Sequence, residues 1–132
     1  MRRYLIAIRR RRPGEIDDSP QKRQPVSQVH VDQTAAAARA RVYRHVPDDA
    51  DELVKHRYQI INLWRPINGI TAWDWPLALC DYRSVDVKND LVPTSLIYPD
   101  RRGETLNVLY NPEHRWKYLK GMEPDEFVLI KW

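Results

Sequence analysis

The spacing of apolar residues predicts that most of this chain forms short β-strands, with helices only near its start. The stretch 58–64 is nearly all apolar, which predicts a strand buried on both faces. Short strands at fairly regular spacing favour an antiparallel sheet closed into a sandwich or barrel. The predicted strands cover 4–8, 27–32, 58–64, 76–85, 91–98, 104–110, 115–119 and 127–132.

Two helices are predicted between the second and third strands. Thr34 is a good N-cap, and residues 35–44 are rich in helix formers. Pro47 is suited to the first turn of a second helix. The acidic residues that follow it also favour a helix start there, because they stabilise the positive end of a helix. This short helix has one apolar stripe, made of Ala50, Leu53 and Val54.

Two segments between the predicted strands are expected to form a loop and a turn. Residues 13–26 combine prolines with charged and polar groups, which is typical of a surface loop. Residues 99–103 join two predicted strands, and we expect Gly103 to supply a positive φ there.

The composition is that of one globular domain. The chain has 132 residues, of which 42% are hydrophobic and 30% charged, and this is enough for a single core. Cys80 is the only cysteine, so no internal disulfide forms and a reducing, cytoplasmic location is expected. The apolar stretch 4–8 is too short for a signal peptide, and no window is long enough to span a membrane.

The positive charge is concentrated at the amino terminus. Residues 1–24 hold eight basic and three acidic groups, a net +5, so the remaining residues carry −1 of the overall +4. The run 9–12 is four arginines, a pattern that also occurs in nucleic-acid-binding segments. Because no aromatic residue interleaves with this run and no other basic stretch extends it, we expect no nucleic-acid partner.

The stretch QVHVDQT contains the most informative polar pair, His30 and Asp32. In an extended strand these two side chains project from the same face. A histidine and a carboxylate on one face are two legs of the facial triad that binds iron in non-haem oxygenases. The alternative is a strand-end pair that hydrogen-bonds loop backbone. Among the other histidines, only His114 is a candidate third ligand, since His45 and His56 fall on a predicted solvated helical surface.

Further polar and aromatic residues at strand ends are candidates for a substrate or cosubstrate pocket. An equally good alternative for them is hydrogen bonding to buried loop carbonyls. Asp81, Tyr82 and Arg83 are expected to form a strand-end ion pair with a neighbour, and Cys80 is expected in the core. The pocket candidates are Asn62, Trp64, Arg65, His114, Arg115 and Trp116.

Six stretches resemble one known family. They are QPVSQVHVDQT, INLWRPI, DWPLALCDYRSVD, DLVPTSLIYPDRRGET, YNPEHRWKYLKGM and PDEFVLIK, in order and with few gaps between about Arg9 and Lys131. They resemble the AsaB-like hydroxylase/desaturase family, which includes the CmcJ-type oxidoreductases and gibberellin desaturase-like proteins of fungal secondary metabolism.

The resemblance implies a mainly β fold with some α, a partial double-stranded β-helix (jelly-roll-like barrel) with short helices after the first metal-ligand strand. It implies Fe(II) and 2-oxoglutarate as cofactors and a small organic metabolite as substrate. His30 and Asp32 stand where the family has its H-x-D metal ligands. The arginines at 9–12 resemble a family stretch, which favours a scaffold role for them.

The resemblance also implies that the chain is truncated at both ends. We expect one partial domain over 1–132, with 1–25 as basic segment and loop and with the final strands of the barrel missing. The family's distal histidine and 2-oxoglutarate-binding arginine are expected beyond Trp132, so we expect this chain alone to be inactive. An open sheet edge would then favour self-association. The alternative function is a non-catalytic small-molecule-binding or scaffold remnant of the fold.

Overall fold

The computed structural model describes residues 6–16, 19 and 22–131. The predicted strand at 4–8 begins outside these residues, and residues 6–8 form no strand. Trp132, the predicted end of the last strand, also lies outside them. The elements in chain order are β1 (His30–Val31), α1 (Ala35–His45), a 3₁₀ turn (Pro47–Asp49), α2 (Ala50–Leu53), β2 (Ile61–Trp64), β3 (Ala78–Cys80), a second 3₁₀ turn (Tyr82–Ser84), β4 (Leu91–Ile97), β5 (Arg102–Val108), β6 (Trp116–Tyr118) and β7 (Val128–Lys131).

The strands of the described residues form three small antiparallel sheets. One has the order β1-β5-β4, and the other two pair β2 with β7 and β3 with β6. The predicted class, mainly β with short helices after the first ligand strand, is confirmed.

The start of α1 is fixed by Thr34, as predicted. Its Oγ1 accepts a hydrogen bond from the Ala37 amide at 3.2 Å and donates one to Oε1 of Glu104 at 2.6 Å. The first bond satisfies one of the free amides at a helix start. The second ties the helix to β5, next to the strand that carries His30.

The prediction that 58–64 is a strand buried on both faces is wrong. The strand β2 covers only Ile61–Trp64, and the side chains of Ile61 and Leu63 are 51% and 57% exposed. Alternate residues of a strand face opposite ways, and only the face with Trp64 is turned inward. Within the described residues the opposite face is uncovered, so a uniformly apolar strand does not become a fully buried one.

The turn at 99–103 is real, but the role predicted for Gly103 is wrong. Gly103 lies in β5 opposite Leu96, and its φ is not positive. The turn is closed by the Tyr98 amide, which donates to the Arg101 carbonyl at 2.9 Å. The Arg101 guanidinium lies 4.2 Å from the centre of the Tyr98 ring, a favourable cation–π contact.

The buried apolar core of the described residues is small. Only Ala50 and Met122 are buried hydrophobic side chains there. Met122 is bridged to Ala72, whose amide donates to the Met122 carbonyl at 2.9 Å. Among the helices that the structure describes, none has the length and apolar content to cross a membrane.

Candidate metal and ligand site

His30 and Asp32 lie side by side, as their spacing predicts. Nε2 of His30 is 3.0 Å from Oδ1 of Asp32. The two side chains are 33% and 39% exposed, so both are partly accessible to solvent. Asp32 follows directly after the two-residue strand β1, and the same-face geometry persists at the strand end.

The His30 ring is oriented by its other nitrogen. Nδ1 lies 2.7 Å from the carbonyl oxygen of Gln28. Because a carbonyl only accepts, Nδ1 is the donor, and Nε2 is left to face Asp32. The hydrogen bond with Asp32 raises the pKa of His30 above its ordinary value, and it outweighs partial burial, which lowers that pKa. A backbone carbonyl on the far nitrogen is the usual arrangement for a metal-binding histidine.

The amide side chains of Asn62 in β2 and Asn107 in β5 support this pair. Nδ2 of Asn62, in β2, donates to Oδ2 of Asp32 at 3.1 Å. Nε2 of Gln28 donates to Oδ1 of Asn107 at 2.8 Å, and Asn107 pairs with His30 in the β1–β5 register. The pair is therefore held from β2 and β5, two strands far away in sequence.

An apolar cavity of about 440 Å³ lies between the β2–β7 and β3–β6 sheets. Trp64 contributes to its wall, two residues after Asn62, while Arg65 is exposed. Of the pocket candidates on β2, Asn62 thus contacts a candidate metal ligand, Trp64 lines the cavity, and no role is evident for Arg65. Cys80 is partly buried and also lines the cavity.

The cavity has a charged rim. Arg83 donates to both carboxylate oxygens of Asp81, from Nε at 2.9 Å and from Nη2 at 2.6 Å. This is the expected strand-end ion pair, and the hydrogen bonds from Arg83 hold the pKa of Asp81 well below its ordinary value. Lys117 lies on the same rim.

His114 belongs to a different cluster. Its Nε2 is 2.8 Å from Oδ2 of Asp90, and the two side chains are 4% and 7% exposed. Asn111 and the Asp86 amide also donate to the Asp90 carboxylate. Burial raises the pKa of Asp90, but the hydrogen bonds from His114, the Asp86 amide and Asn111 outweigh it, and the pKa lies below its ordinary value.

Arg115 and Trp116 surround this second cluster. The Arg115 amide donates to Oγ of Ser84 at 2.9 Å, and its carbonyl accepts from the Asp81 amide at 2.8 Å. The Trp116 ring stands edge-on to His114 with centroids 6.3 Å apart. These contacts connect β3 to β6.

No described residue completes a three-ligand set. Within 6–16, 19 and 22–131, no group of three His, Cys, Asp or Glu side chains converges, so His114 does not join His30 and Asp32. His56 pairs with Glu52 at 2.9 Å and is 71% exposed, as expected for a solvated helical surface.

The side chains of Arg9 and Arg11 contact other parts of the chain. Nη1 of Arg11 is 2.6 Å from Oδ2 of Asp74, and its guanidinium lies 5.1 Å from the Trp75 ring centre. Nη1 of Arg9 donates to the Gln24 carbonyl. These contacts support a scaffold role for the arginine run.

Sequence reasoning missed three residues of these sites. Asn107 supports the loop before His30, Asp90 anchors His114, and Lys117 lies on the cavity rim. Each is a polar residue within or beside a predicted strand, and nothing in the local pattern distinguishes it from a solvent-facing residue. Lys117 lies opposite Leu79 only because of how β3 pairs with β6, and that register is not visible in the local sequence.

Comparison with known proteins gives one family and several partial relatives. The sequence profile of the oxidoreductase/YMDC permease-like domain matches residues 4–132. Aspirochlorine biosynthesis protein N of Aspergillus oryzae is 44% identical over 102 residues, which are 75% of this chain and 42% of that protein. Hydroxylase/desaturase efuI of Hormonema carpetanum is 38% identical over 133 residues, covering 90% of this chain and 44% of that protein.

A solved structure has the same fold. The iron and alpha-ketoglutarate-dependent endoperoxidase NvfI superposes with a TM-score of 0.78 at 28% identity, covering 89% of this chain and 43% of that one. The expected resemblance to hydroxylase/desaturase proteins and the jelly-roll-like fold are therefore confirmed. The chain spans less than half the length of these relatives.

Proposed function

This chain belongs to the oxidoreductase/YMDC permease-like domain family, and we propose that it serves an iron(II)- and 2-oxoglutarate-dependent hydroxylation or desaturation of a small organic metabolite. The observation that carries the proposal is the His30–Asp32 pair, 3.0 Å apart and partly accessible, with the His30 ring held by the Gln28 carbonyl. The names of the relatives, a hydroxylase/desaturase and an iron and alpha-ketoglutarate-dependent enzyme, support it.

In this proposal, Nε2 of His30 and a carboxylate oxygen of Asp32 would hold the metal. One nitrogen and one oxygen donor suit iron(II), which accepts imidazole and carboxylate ligands. When bound, iron with 2-oxoglutarate and O₂ supplies the oxidising power to remove hydrogen from an unactivated carbon. The chain's own contribution is to orient the ligands, through Gln28 and Asn62, and to provide an apolar wall at Trp64 that excludes water.

Two protein ligands predict weak metal binding by the chain alone. Because no third ligand converges on the pair among the described residues, water would occupy most of the coordination sphere. We expect Mn(II), a redox-inert substitute for iron(II), to bind far less tightly than to a complete triad.

Calorimetric titration of Mn(II) tests the proposal. Binding should weaken at least about tenfold in His30→Ala and in Asp32→Asn, because each change removes a ligand. The matched control is His56→Ala, which removes a histidine paired with Glu52 on the exposed helical surface. Equal binding by the wild type and both site variants would refute the proposal. Sub-micromolar affinity lost in His30→Ala would contradict the two-ligand assignment.

A second candidate is a small-molecule-binding or scaffold protein of the same fold without iron chemistry. The cavity between the two small sheets favours it, together with the lack of a three-ligand group among the described residues. It predicts that an apolar ligand has the same affinity for His30→Ala as for the wild type. It also predicts that added metal does not change this affinity.

The proposal includes a location and a mode of association. A single cysteine is consistent with a reducing cytoplasm. The outer face of the β2–β7 sheet, defined by Ile61, Leu63 and Leu129, has side chains that are 51%, 57% and 59% exposed. An uncovered apolar face with free strand edges favours self-association.

A further inference from the structure

The cavity is lined by residues of two sheets. Trp64 and Val128 stand directly opposite each other in the β2–β7 register, and both line the cavity. Leu79 and Lys117 stand opposite each other in the β3–β6 register and line its other side. The buried Met122 completes the lining between them. A volume of about 440 Å³ is within the range of pockets that hold small organic ligands.

The rim of the cavity carries a net positive charge of one, from Arg83 and Lys117 against Asp81. The charges of Arg83 and Asp81 neutralise each other through their two short hydrogen bonds. Within the described residues Lys117 forms no hydrogen bond or ion pair, and its charge is close enough to Asp81 to help lower the pKa of that carboxyl. Its ammonium group therefore remains available to a negatively charged ligand group at the edge of an otherwise apolar space.

The cavity adjoins the candidate metal site through β2. Asn62, which hydrogen-bonds Asp32, and Trp64, which lines the cavity, are two residues apart in one strand and share its inward face. Two residues of a strand span roughly 7 Å. A molecule that fills the cavity near Trp64 would thus lie about two strand residues from Asn62, the hydrogen-bond partner of Asp32, although His30, Asp32 and Asn62 do not themselves line the cavity.

We propose that this cavity binds the compact, apolar carbon skeleton of the substrate, with a carboxylate or similar anionic oxygen at Lys117 and the opposite end toward His30 and Asp32. The inference rests on the proposed function, because it assigns a substrate class to the same site. The apolar lining excludes sugars and other highly hydroxylated compounds, whose polar groups would lose their water without gaining partners.

Cys80 provides a direct test, since it is the only cysteine and lines the cavity. The probe is 1-adamantanecarboxylic acid, a rigid cage with one carboxylate, and the measurement is the rate at which N-ethylmaleimide alkylates Cys80. We expect the acid to protect Cys80 in the wild type and in Leu129→Trp, which adds the same bulk on the outer face of β7. Protection should be lost in Leu79→Trp and in Val128→Phe, which fill the cavity from opposite walls.

The charge at the rim is tested with Lys117→Gln. This change should weaken protection by the acid about threefold and leave protection by the neutral 1-adamantanemethanol unchanged. Circular dichroism shows whether each variant is folded, and either of the two cavity-filling variants alone suffices for the comparison. Protection that persists in a folded cavity-filled variant, or an equal effect of Lys117→Gln on acid and alcohol, would overturn the proposal.

Proximity to the metal is tested by NMR with Mn(II), which broadens nearby proton signals. The adamantane signals of the bound acid should broaden in the wild type and recover in His30→Ala. If Mn(II) binds at His30 but the adamantane signals do not broaden, the cavity lies away from the metal and the proposal is overturned. Mn(II) binding that does not depend on His30, with Cys80 still protected, would instead refute the proposed function.

Discussion

Nδ2 of Asn62 donates a hydrogen bond of 3.1 Å to Oδ2 of Asp32, although the two residues are 30 positions apart in the sequence. The other oxygen of the same carboxylate lies 3.0 Å from Nε2 of His30. The Asp32 carboxylate is therefore held on one side by an amide from β2 and faces the imidazole on the other. This arrangement makes Asn62 a positioning residue for Asp32, the proposed metal ligand.

Replacing Asn62 should weaken metal binding without removing a ligand. We expect Asn62→Ala to lower Mn(II) affinity about tenfold, because partners of metal ligands typically contribute at least that much. Leu63→Ala is the matched control, since Leu63 is the next residue of the same strand and faces outward. Calorimetry that finds the same affinity in both variants would remove Asn62 from the site.

The buried pair of Asp90 and His114 should make stability depend on pH in a defined direction. Burial raises the pKa of Asp90, but hydrogen bonds from His114, the Asp86 amide and Asn111 bring it below the ordinary value of 3.8. A group whose pKa is lowered by folding stabilises the protein above its unfolded-state pKa, and this contribution is lost as the pH falls through the folded-state value. Asp90→Asn should therefore lower the melting temperature at pH 7.

The difference between Asp90→Asn and the wild type should shrink toward zero as the pH falls well below 3.8, where the wild-type carboxylate is also protonated. Asp125→Asn is the control, because Asp125 is exposed in a turn. Thermal melts from pH 7 down to about pH 2 make the comparison. A difference that stays constant over this range would mean that the charge of Asp90 does not stabilise the fold.

Gly121 should tolerate a side chain less well than Gly69. Both have a positive φ, +65° and +66°, but a Cβ at Gly121 would lie 2.8 Å from the Trp73 ring, whereas the space at Gly69 is open. We expect Gly69→Ala to cost about 1 kcal/mol of unfolding free energy through backbone strain alone. Gly121→Ala should cost about 1–2 kcal/mol, more than Gly69→Ala, because the 68% exposed Trp73 ring must also move. Equal costs in urea unfolding would show that Trp73 does not constrain this turn.

The exposed outer face of the β2–β7 sheet should cause self-association. Leu63 and Leu129 are cross-strand partners on this face, and a charge there would have to be buried in any dimer. We expect Leu129→Lys to shift the chain toward monomer in sedimentation velocity. Tyr110→Lys is the control, since Tyr110 is 90% exposed elsewhere. A monodisperse wild-type monomer with a sharp, reversible melt would contradict the prediction.

What the sequence predicted correctly is local. Thr34 caps α1 because its side chain reaches an amide three residues away, and His30 and Asp32 lie together because a strand alternates. The uncovered face of β2 and the extended conformation of Gly103 were missed because both depend on which strand pairs where. The same limit applies to the Asn62–Asp32 bond, which joins β2 to the end of β1, and to the cavity, which exists only between two sheets.

Succinate release from 2-oxoglutarate is the direct test of the proposed iron(II)- and 2-oxoglutarate-dependent activity. The protein to measure is a chimera in which residues 30–131 of this chain replace the matched segment of the iron and alpha-ketoglutarate-dependent endoperoxidase NvfI, supplied with Fe(II) and O₂. Many such enzymes release succinate slowly without their true substrate, so the substrate need not be known. We expect succinate from the chimera, and its loss in His30→Ala with a nearly unchanged melting temperature. A chimera that folds and binds iron(II) but releases no succinate, or one whose turnover survives His30→Ala, would contradict it.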